Sequence, residues 1–337
     1  MKRNNVTKLT AGLLLIIFSL AIALGACSTQ VSHQSSQPPS AVPASITETK
    51  VRVAATQNFG QELMFDKEIE LEDDACAMDA LKKVAEIETA YNGGFINAIN
   101  GVRSQYAGSS GNKKDWFICV NGILSNAGAL DYNLYPGDVE HWDFHDWSFQ
   151  SFIPAIIGDF PEPFVHGYEG EIRPTIVVYE DNLEKTAEDI VAKLSQLGAE
   201  SISAKNINEL SGDEKESCNL ILLGDMNCEL ISELNQIWKR LGFFTHFEEG
   251  KLVVLNQKGD TAIEYGAECG LIQATQNLWN PKGIGVCENV VWMISGTDET
   301  GVKNAVDALI NHHSEFQYAF AAIITDGEIV KVPQLNH

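Results

Sequence analysis

The spacing of hydrophobic and polar positions changes several times between residues 51 and 147. Residues 51–54 alternate as a half-buried strand does. Between residues 77 and 87, apolar side chains recur three or four positions apart, which predicts an amphipathic helix. Segments rich in aromatic and β-branched residues then predict further strands at 95–99, 115–123 and 141–144, and the second of these closes on an Asn-Gly turn. The pattern predicts a small α+β domain that is rich in sheet.

From residue 175 onward, short apolar strands alternate with amphipathic helices. The predicted strands lie at 175–179, 219–223, 252–255, 290–295 and 319–324, and the predicted helices at 183–197, 229–241 and 299–312. Such alternation is typical of a mostly parallel sheet with helices on both faces. We therefore expect the small sheet-rich domain to be followed by a larger α/β domain with a mostly parallel sheet.

The first residues are typical of an export signal. Lys2, Arg3 and Lys8 precede an apolar run at 11–24 that is shorter than a comfortable membrane span. Leu24-Gly25-Ala26-Cys27 follows and resembles the lipobox of bacterial lipoproteins, in which the cysteine thiol carries the lipid, as in palmitate-modified lipoproteins. We expect cleavage before Cys27 and lipidation of that residue. The alternative is an uncleaved transmembrane anchor with an incidental cysteine.

Domain boundaries follow from changes in composition. Residues 28–50 are rich in Ser, Gln, Pro and Ala and show no apolar period, so they read as a disordered tether. Prolines interrupt residues 151–170, yet this segment is apolar enough to pack against a domain. The predicted organisation is a signal peptide at 1–26, lipidated Cys27 with its tether to residue 50, a first domain at 51–150, a packed connector at 151–170 and an α/β domain at 171–337.

Composition excludes several kinds of partner. The net charge is −23, and it becomes more negative once the three cations of the signal are removed. A protein this acidic is repelled by nucleic acid and by anionic lipid surfaces. Six cysteines follow Cys27, an even number that permits disulfides in an extracellular location, but none has the C-x-x-C spacing of zinc or redox motifs.

One set of motifs points to a known family. Trp116-Phe117 is followed by Val120-Asn121-Gly122, then Tyr132, and Gly137-Asp138 precedes Trp142 and Phe144. This order resembles the transcobalamin-like C-terminal domain family, which includes the β-rich lobe of the vertebrate cobalamin carriers and many bacterial lipoprotein modules. The resemblance covers about residues 51–147. It implies a lobe that closes over one side of cobalamin, although we expect no counterpart of the carriers' helical barrel, because residues 1–50 read as signal and tether.

A corrin is a broad, largely apolar plate with amides on its rim, so its binder needs aromatic contact area and a few polar partners. The residues suited to this role are Trp116, Asn121, Tyr132, Trp142, Phe144 and Trp147. The alternative is that these aromatic residues form the core of a small sheet and that Asn121 forms a turn.

Two histidines in the last predicted strand of this domain are candidate ligands for a metal ion. His141, Asp143 and His145 share one strand face and could hold a transition metal or offer an imidazole to cobalt. Polar residues at period two are, however, typical of a solvated face. Glu140 shares the opposite face with Trp142, so it needs a partner or an edge position if that face is buried.

Two strand ends in the α/β domain open into helices, at 223–227 and 295–299. Such ends can bind a small anionic or hydroxylated ligand, and the alternative is ordinary turn and N-cap chemistry. The sequence contains no phosphate-binding loop and no nucleophile elbow. Parts of residues 171–325 weakly resemble a domain repeated in archaeal surface-layer proteins.

Two functions remain open at this point. The first is an envelope lipoprotein, anchored on the outer side of the cytoplasmic membrane or in an outer membrane, that captures cobalamin or another corrinoid and passes it to a transporter. The second is a structural or adhesive envelope module that contacts wall polymer. An enzyme is the weakest option because no nucleophile, base and orienting residue can be assembled from the sequence, and we expect no required cofactor.

Overall fold

The structure, a computed structural model, describes residues 49–107 and 110–335. The predicted signal peptide, Cys27 and almost all of the tether lie outside the described residues. Residues Ile46–His337 form one compact unit. None of the helices in the described ranges combines the length and apolarity that a membrane span requires.

The described part of residues 49–146 contains ten strands and one α-helix. In chain order they are β1 Thr49–Gln57, β2 Glu62–Leu71, α1 Ala77–Val84, β3 Ile87–Ala90, β4 Phe95–Ile99, β5 Val102–Arg103, β6 Tyr106–Ala107, β7 Ser110–Gly111, β8 Lys114–Val120, β9 Ile123–Leu124 and β10 Val139–Asp146. Five of the strands form a sheet in the order β2-β1-β10-β8-β9, in which β1 and β10 are parallel and the other pairs antiparallel.

Helix α1 and the small β3-β4-β5 sheet supply side chains to the core on one face of the five-stranded sheet. The helix forms because Met78, Leu81 and Val84 line one side of it and are all buried. It ends earlier than the spacing predicts, since Ala85 is extended and Ile87 begins β3. The same core contains Trp142 and Phe144 of β10.

The remaining elements build a larger sheet. In chain order they are β11 Thr175–Tyr179, α2 Glu184–Gln196, β12 Ile202–Asn206, α3 Gly212–Ser217, β13 Asn219–Asp225, α4 Glu229–Gln236, β14 Thr245–Glu248, β15 Lys251–Leu255, β16 Thr261–Tyr265, β17 Gly270–Gln276, β18 Val290–Gly296, α5 Glu299–Asn311, β19 Ala321–Thr325 and β20 Glu328–Val332. The seven-stranded order is β12-β11-β13-β18-β17-β19-β20.

The first four strands of this order are parallel and the last three join antiparallel. Helices α2 and α5 supply their buried side chains to the core on one face, whereas α4 and the β14-β15-β16 sheet belong to the core of the other. The predicted fold class is confirmed, with a mixed rather than uniformly parallel second sheet.

Tyr318 joins the two sheets just before β19. Its backbone lies so close to Gly60 and Gly158 that a Cβ atom on either glycine would come within about 2.1 Å of it. Its hydroxyl donates a hydrogen bond to Asp66 of β2, and this carboxylate also accepts from Arg52 of β1 at 2.6 and 2.8 Å. The two sheets therefore meet at a tight polar contact.

The connector between the sheets is also buried. Phe160 and Phe164 pack on Trp292 of β18, with ring centroids 5.9 and 5.2 Å apart. Ile156 and Ile157 are almost fully buried. Core packing thus continues from the five-stranded sheet through the connector to the seven-stranded sheet.

Candidate functional site

Most of the residues that the sequence analysis selects for ligand contact lie in the protein core. Trp116, Tyr132, Trp142 and Phe144 are between 1% and 7% exposed. Trp116 packs on Phe144 with ring centroids 5.3 Å apart, and Trp116 Nε1 donates to the backbone of Val102. These four rings hold the five-stranded sheet against its covering elements, and in this conformation they offer no surface to a ligand.

Asn121 is a structural turn residue. Its φ of 51° lies in the left-handed region that asparagine tolerates. Its amide nitrogen donates to Asp138 Oδ1 at 2.7 Å and to the carbonyl of Gly167 at 2.8 Å, while its oxygen accepts from the N–H of Val139. These bonds tie the turn after β8 to the start of β10 and to the connector.

Trp147 is the exception among the six. It follows β10, is half-buried, and its ring meets Tyr106 edge-to-face at a centroid distance of 5.0 Å. The ammonium of Lys113 lies 5.1 Å from the centre of the same ring. A backbone hydrogen bond from Trp147 to the carbonyl of Lys113 fixes this arrangement. Trp147, Tyr106 and Lys113 form what we call the Trp147 cluster.

The polar face of β10 is not solvated, so that interpretation of His141, Asp143 and His145 is wrong. The three residues are 1%, 3% and 3% exposed. Tyr318 and Phe320, from the segment just before β19, lie against the two imidazoles. The polar face of β10 is therefore buried by residues that lie far away in the chain.

These residues form a continuous hydrogen-bond network. His141 Nδ1 lies 2.9 Å from Asp159 Oδ1, and His141 Nε2 lies 2.9 Å from the hydroxyl of Thr56. The Thr56 hydroxyl donates to Asp143 Oδ2 at 2.6 Å. Since this leaves the Thr56 oxygen as an acceptor and places a carboxylate beside Nδ1, the surroundings of His141 favour a proton on both ring nitrogens, as in an imidazolium.

Electrostatics agree with this assignment. Burial alone lowers the pKa of His141, but the charge and hydrogen bond of Asp159, with the charge of Asp143, raise it above its ordinary value. Burial likewise opposes ionisation of Asp143, yet the hydrogen bonds and charges of His145, Thr56 and His141 hold the pKa of this carboxyl below its ordinary value. The network is a set of compensated buried charges.

Asp143 is the centre of the network. It accepts from the backbone N–H groups of Phe59 and Gly60 at 3.0 and 2.9 Å and contacts His145 Nδ1 at 2.7 Å. The His145 ring lies between Phe59 and Phe117, with centroids 4.5 and 4.4 Å away. Both imidazoles are thus held in place by carboxylates and aromatic rings.

A very small cavity borders this network. Its volume is about 10 Å³, and its wall includes Phe117, Cys119, His141, His145 and Phe320. This is roughly the space of one water molecule. Within the described ranges, no group of three or more His, Cys, Asp or Glu is arranged to hold a metal ion.

Glu140 points to the opposite face of β10 and is fully buried. Trp142 Nε1 donates to one carboxyl oxygen at 2.5 Å, and the other oxygen has no partner among the described residues. Burial raises the pKa of Glu140 to about 8 from its usual 4.5, although the Trp142 bond opposes this shift. The carboxyl is mainly protonated at neutral pH.

At the two strand ends of the second sheet, the structure has turn and N-cap chemistry. Asp225 Oδ1 accepts from the N–H of Asn227 at 2.7 Å. Asp298 is the N-cap of α5, and its Oδ1 accepts from the N–H of Gly301 at 2.9 Å. The side chains at these ends are occupied by local hydrogen bonds.

Sequence reasoning missed Thr56 and Asp159, which complete the buried network. Thr56 is one residue of an ordinary strand, and Asp159 lies in the proline-containing connector. Neither has a spacing or a motif that marks it. Their role appears only when the connector packs against β1 and β10.

Comparisons with known proteins match the first part of the chain. A family model described as a domain of unknown function (DUF4430) matches residues 74–146. This range includes the aromatic and Asn-Gly motifs that resemble the transcobalamin-like family. None of the curated proteins matches the chain.

Two solved structures share a limited likeness. Haptocorrin in complex with Cbi is 13% identical over 30% of this chain and 26% of its own, with a TM-score of 0.26. A presumed metal-binding protein from Ruminococcus gnavus is 16% identical over 29% of this chain and 98% of its own, with a TM-score of 0.21. The match thus spans about a quarter of haptocorrin, and scores of this size say nothing about the ligand.

Proposed function

We propose that this protein is a lipid-anchored envelope protein whose folded part binds a small ligand, and that a corrinoid taken up by the cell is the ligand class to test first. The basic, apolar and small-residue segments ending at Cys27 support the anchor and an extracytoplasmic location. The resemblance of residues 51–147 to the transcobalamin-like family supports the ligand class. A transporter would then receive the ligand.

The Trp147 cluster is the single observation that carries ligand binding. Trp147 and Tyr106 present two rings in a fixed edge-to-face geometry, and both are partly accessible. Aromatic rings give large contact areas at little cost in conformational entropy. Lys113 adds a hydrogen-bond donor beside the indole. A broad, largely apolar plate with amides on its rim suits such a surface.

The test is a calorimetric titration of the chain from Ser28 to His337 with cyanocobalamin, comparing wild type, Trp147→Ala and Trp238→Ala. Trp238 is the matched control because it is also half-buried and Lys239 also lies 5.1 Å from the centre of its ring. We expect at least about tenfold weaker binding for Trp147→Ala and unchanged binding for Trp238→Ala. Equal losses in both variants would contradict a role for the cluster.

A structural or adhesive envelope module is the second candidate function. The burial of Trp116, Tyr132, Trp142 and Phe144 favours it, because these rings serve packing in the described conformation. The resemblance of residues 171–325 to a surface-layer domain belongs with this candidate. Sedimentation with purified cell-wall polymer tests it, and co-sedimentation without any corrinoid binding would make it the better account.

A further inference from the structure

A second cavity lies at the amino-terminal edge of the parallel strands, far along the chain from the Trp147 cluster. Its volume is about 310 Å³, and it opens where β11, β13 and β18 begin. Its wall includes Arg173, Lys282, the carboxylates of Asp213, Glu216 and Glu288, and the buried Asn289. A space of this size accommodates a small ligand.

Buried asparagines make this wall rigid. Asn280 and Asn289 are only 7% and 2% exposed. The amide nitrogen of Asn280 donates to Glu288 Oε2 at 3.0 Å and to Asn289 Oδ1 at 2.9 Å. Asn289 in turn donates to the carbonyls of Glu216 and Cys218 at 3.0 and 2.8 Å. The cavity is therefore pre-organised by side chains whose own hydrogen bonds are already made.

Arg173 is the cavity-lining cation that forms no ion pair within 4.0 Å among the described residues, although, after the hydrogen bond from Asn280, its charge also lowers the pKa of the more distant Glu288 carboxyl. Lys282 pairs with Glu288 at 2.5 Å, and elsewhere Arg52 and Arg103 pair with Asp66 and Glu88. By contrast, Arg173 has no carboxylate oxygen within 4.0 Å in the described ranges, and its Nε is buried without a hydrogen-bond partner.

A buried guanidinium N–H without a partner is costly, so a protein seldom leaves one there without compensation. Guanidinium groups present several donors in one plane, a geometry that matches carboxylate and phosphate oxygens. We propose that this cavity binds an oxyanion group, the carboxylate or phosphate of a small ligand, through the guanidinium of Arg173.

The negative charges around the cavity make it possible to test whether anion binding is specific to Arg173. Asp213 and Glu216 are exposed on the rim, and the whole chain carries a charge of −23, so the overall field of the protein repels anions. Saturable binding of an anion therefore has to come from the local donors. Removing the two rim carboxylates should strengthen the binding, because they repel the same oxyanion.

The experiment titrates the chain from Ser28 to His337 with inorganic phosphate and, separately, with acetate, against sodium chloride at equal ionic strength. Binding is followed by calorimetry and by the side-chain Nε–H resonance of Arg173 in ¹⁵N NMR spectra. Wild type, Arg173→Lys and Arg173→Gln are compared, with Arg240→Gln as the matched control, since Arg240 is exposed and has no ion-pair partner in the described ranges.

We expect saturable binding of at least one of the two oxyanions to wild type and to Arg240→Gln. Arg173→Gln should lose it, and Arg173→Lys should bind at least about tenfold more weakly because the planar donor pair is gone. Asp213→Asn combined with Glu216→Gln should bind more tightly than wild type. An Nε–H resonance that responds to chloride as it does to phosphate and acetate, or equal binding by wild type and Arg173→Gln, would overturn the proposal.

Discussion

His141 of β10 and Asp159 of the connector lie 18 residues apart in the chain, yet His141 Nδ1 and Asp159 Oδ1 are 2.9 Å apart in the interior. Both side chains are about 1% exposed. The carboxylate also accepts from the N–H of Gly122, at 3.1 Å. This pair fastens the connector to the five-stranded sheet and places its aromatic residues against Trp292.

Replacing Asp159 should therefore destabilise the whole compact unit. Asp159→Asn leaves the buried imidazolium of His141 without its carboxylate, and loss of one partner from such a pair costs about 3 kcal/mol. Denaturant unfolding at pH 6 measures the change. Asp131→Asn, at an exposed aspartate, is the control and should change stability by less than about 0.5 kcal/mol. Similar stabilities for both variants would show that the pair contributes little.

The same pair gives a pH dependence with a definite sign. The pKa of His141 is raised in the folded protein, so its contribution is complete below the ordinary value of 6.5 and is lost as the pH rises through the folded value. The stability difference between wild type and Asp159→Asn should thus shrink from pH 6 to pH 9. A difference that stays constant over this interval would contradict an imidazolium at His141.

Glu140 predicts a second pH dependence. Because the folded protein retains a proton on Glu140 up to about pH 8 that the unfolded chain releases near 4.5, the contribution of this residue to wild-type stability should fall as the pH rises between these values. Glu140→Gln removes this loss and should be more stable than wild type above pH 8 by up to about 5 kcal/mol. Unfolding curves at pH 5 and pH 9 test this, and parallel behaviour of the two proteins would contradict it.

The cysteines predict a pattern of thiol reactivity. All six cysteines in the described residues are free, and all but Cys76 are buried. Burial raises the pKa of the Cys119 thiol well above its ordinary value, which further slows its reaction. Cys76 should react first with a thiol reagent, and six thiols should react in the unfolded Ser28–His337 chain without reductant. Fewer than six would reveal a disulfide.

Cys27 lies outside the described residues, and its lipidation is tested in cells. Cys27→Ala should abolish incorporation of labelled palmitate, because the thiol is the only predicted site of lipidation. Cys76→Ser is the matched control and should keep the label. Label that persists in Cys27→Ala would contradict lipidation at this residue, and an unlabelled wild type would favour the uncleaved anchor.

Local periodicity predicted much of the fold. Strands such as Val290–Gly296 and Thr175–Tyr179 are almost uninterrupted apolar runs, and α5 has a clear apolar side. β17, Gly270–Gln276, escaped prediction because its seven buried residues include Gln273, Thr275 and Gln276. Its polar side chains find buried partners instead, as Gln273 does with Thr245 at 2.6 Å. No local pattern distinguishes such a strand from a loop.

The candidate site was predicted less well than the fold. The aromatic motif located the correct strands, but whether a ring is core or surface depends on which elements cover it. The polar face of β10 shows this most clearly, since Tyr318 and Phe320 cover it from more than 170 residues away in the chain. Thr56 and Asp159 likewise gain their roles only from long-range packing.

The most direct test of ligand binding is a calorimetric titration of the Ser28–His337 chain with cyanocobalamin and aquocobalamin, with a visible spectrum of each mixture. The account predicts saturable binding of both at micromolar or lower concentration that weakens in Trp147→Ala. It also predicts no spectral shift specific to aquocobalamin, because His141 and His145 are buried and bound to carboxylates. Absence of heat and of any spectral change at high concentration would contradict corrinoid binding and leave the structural envelope module.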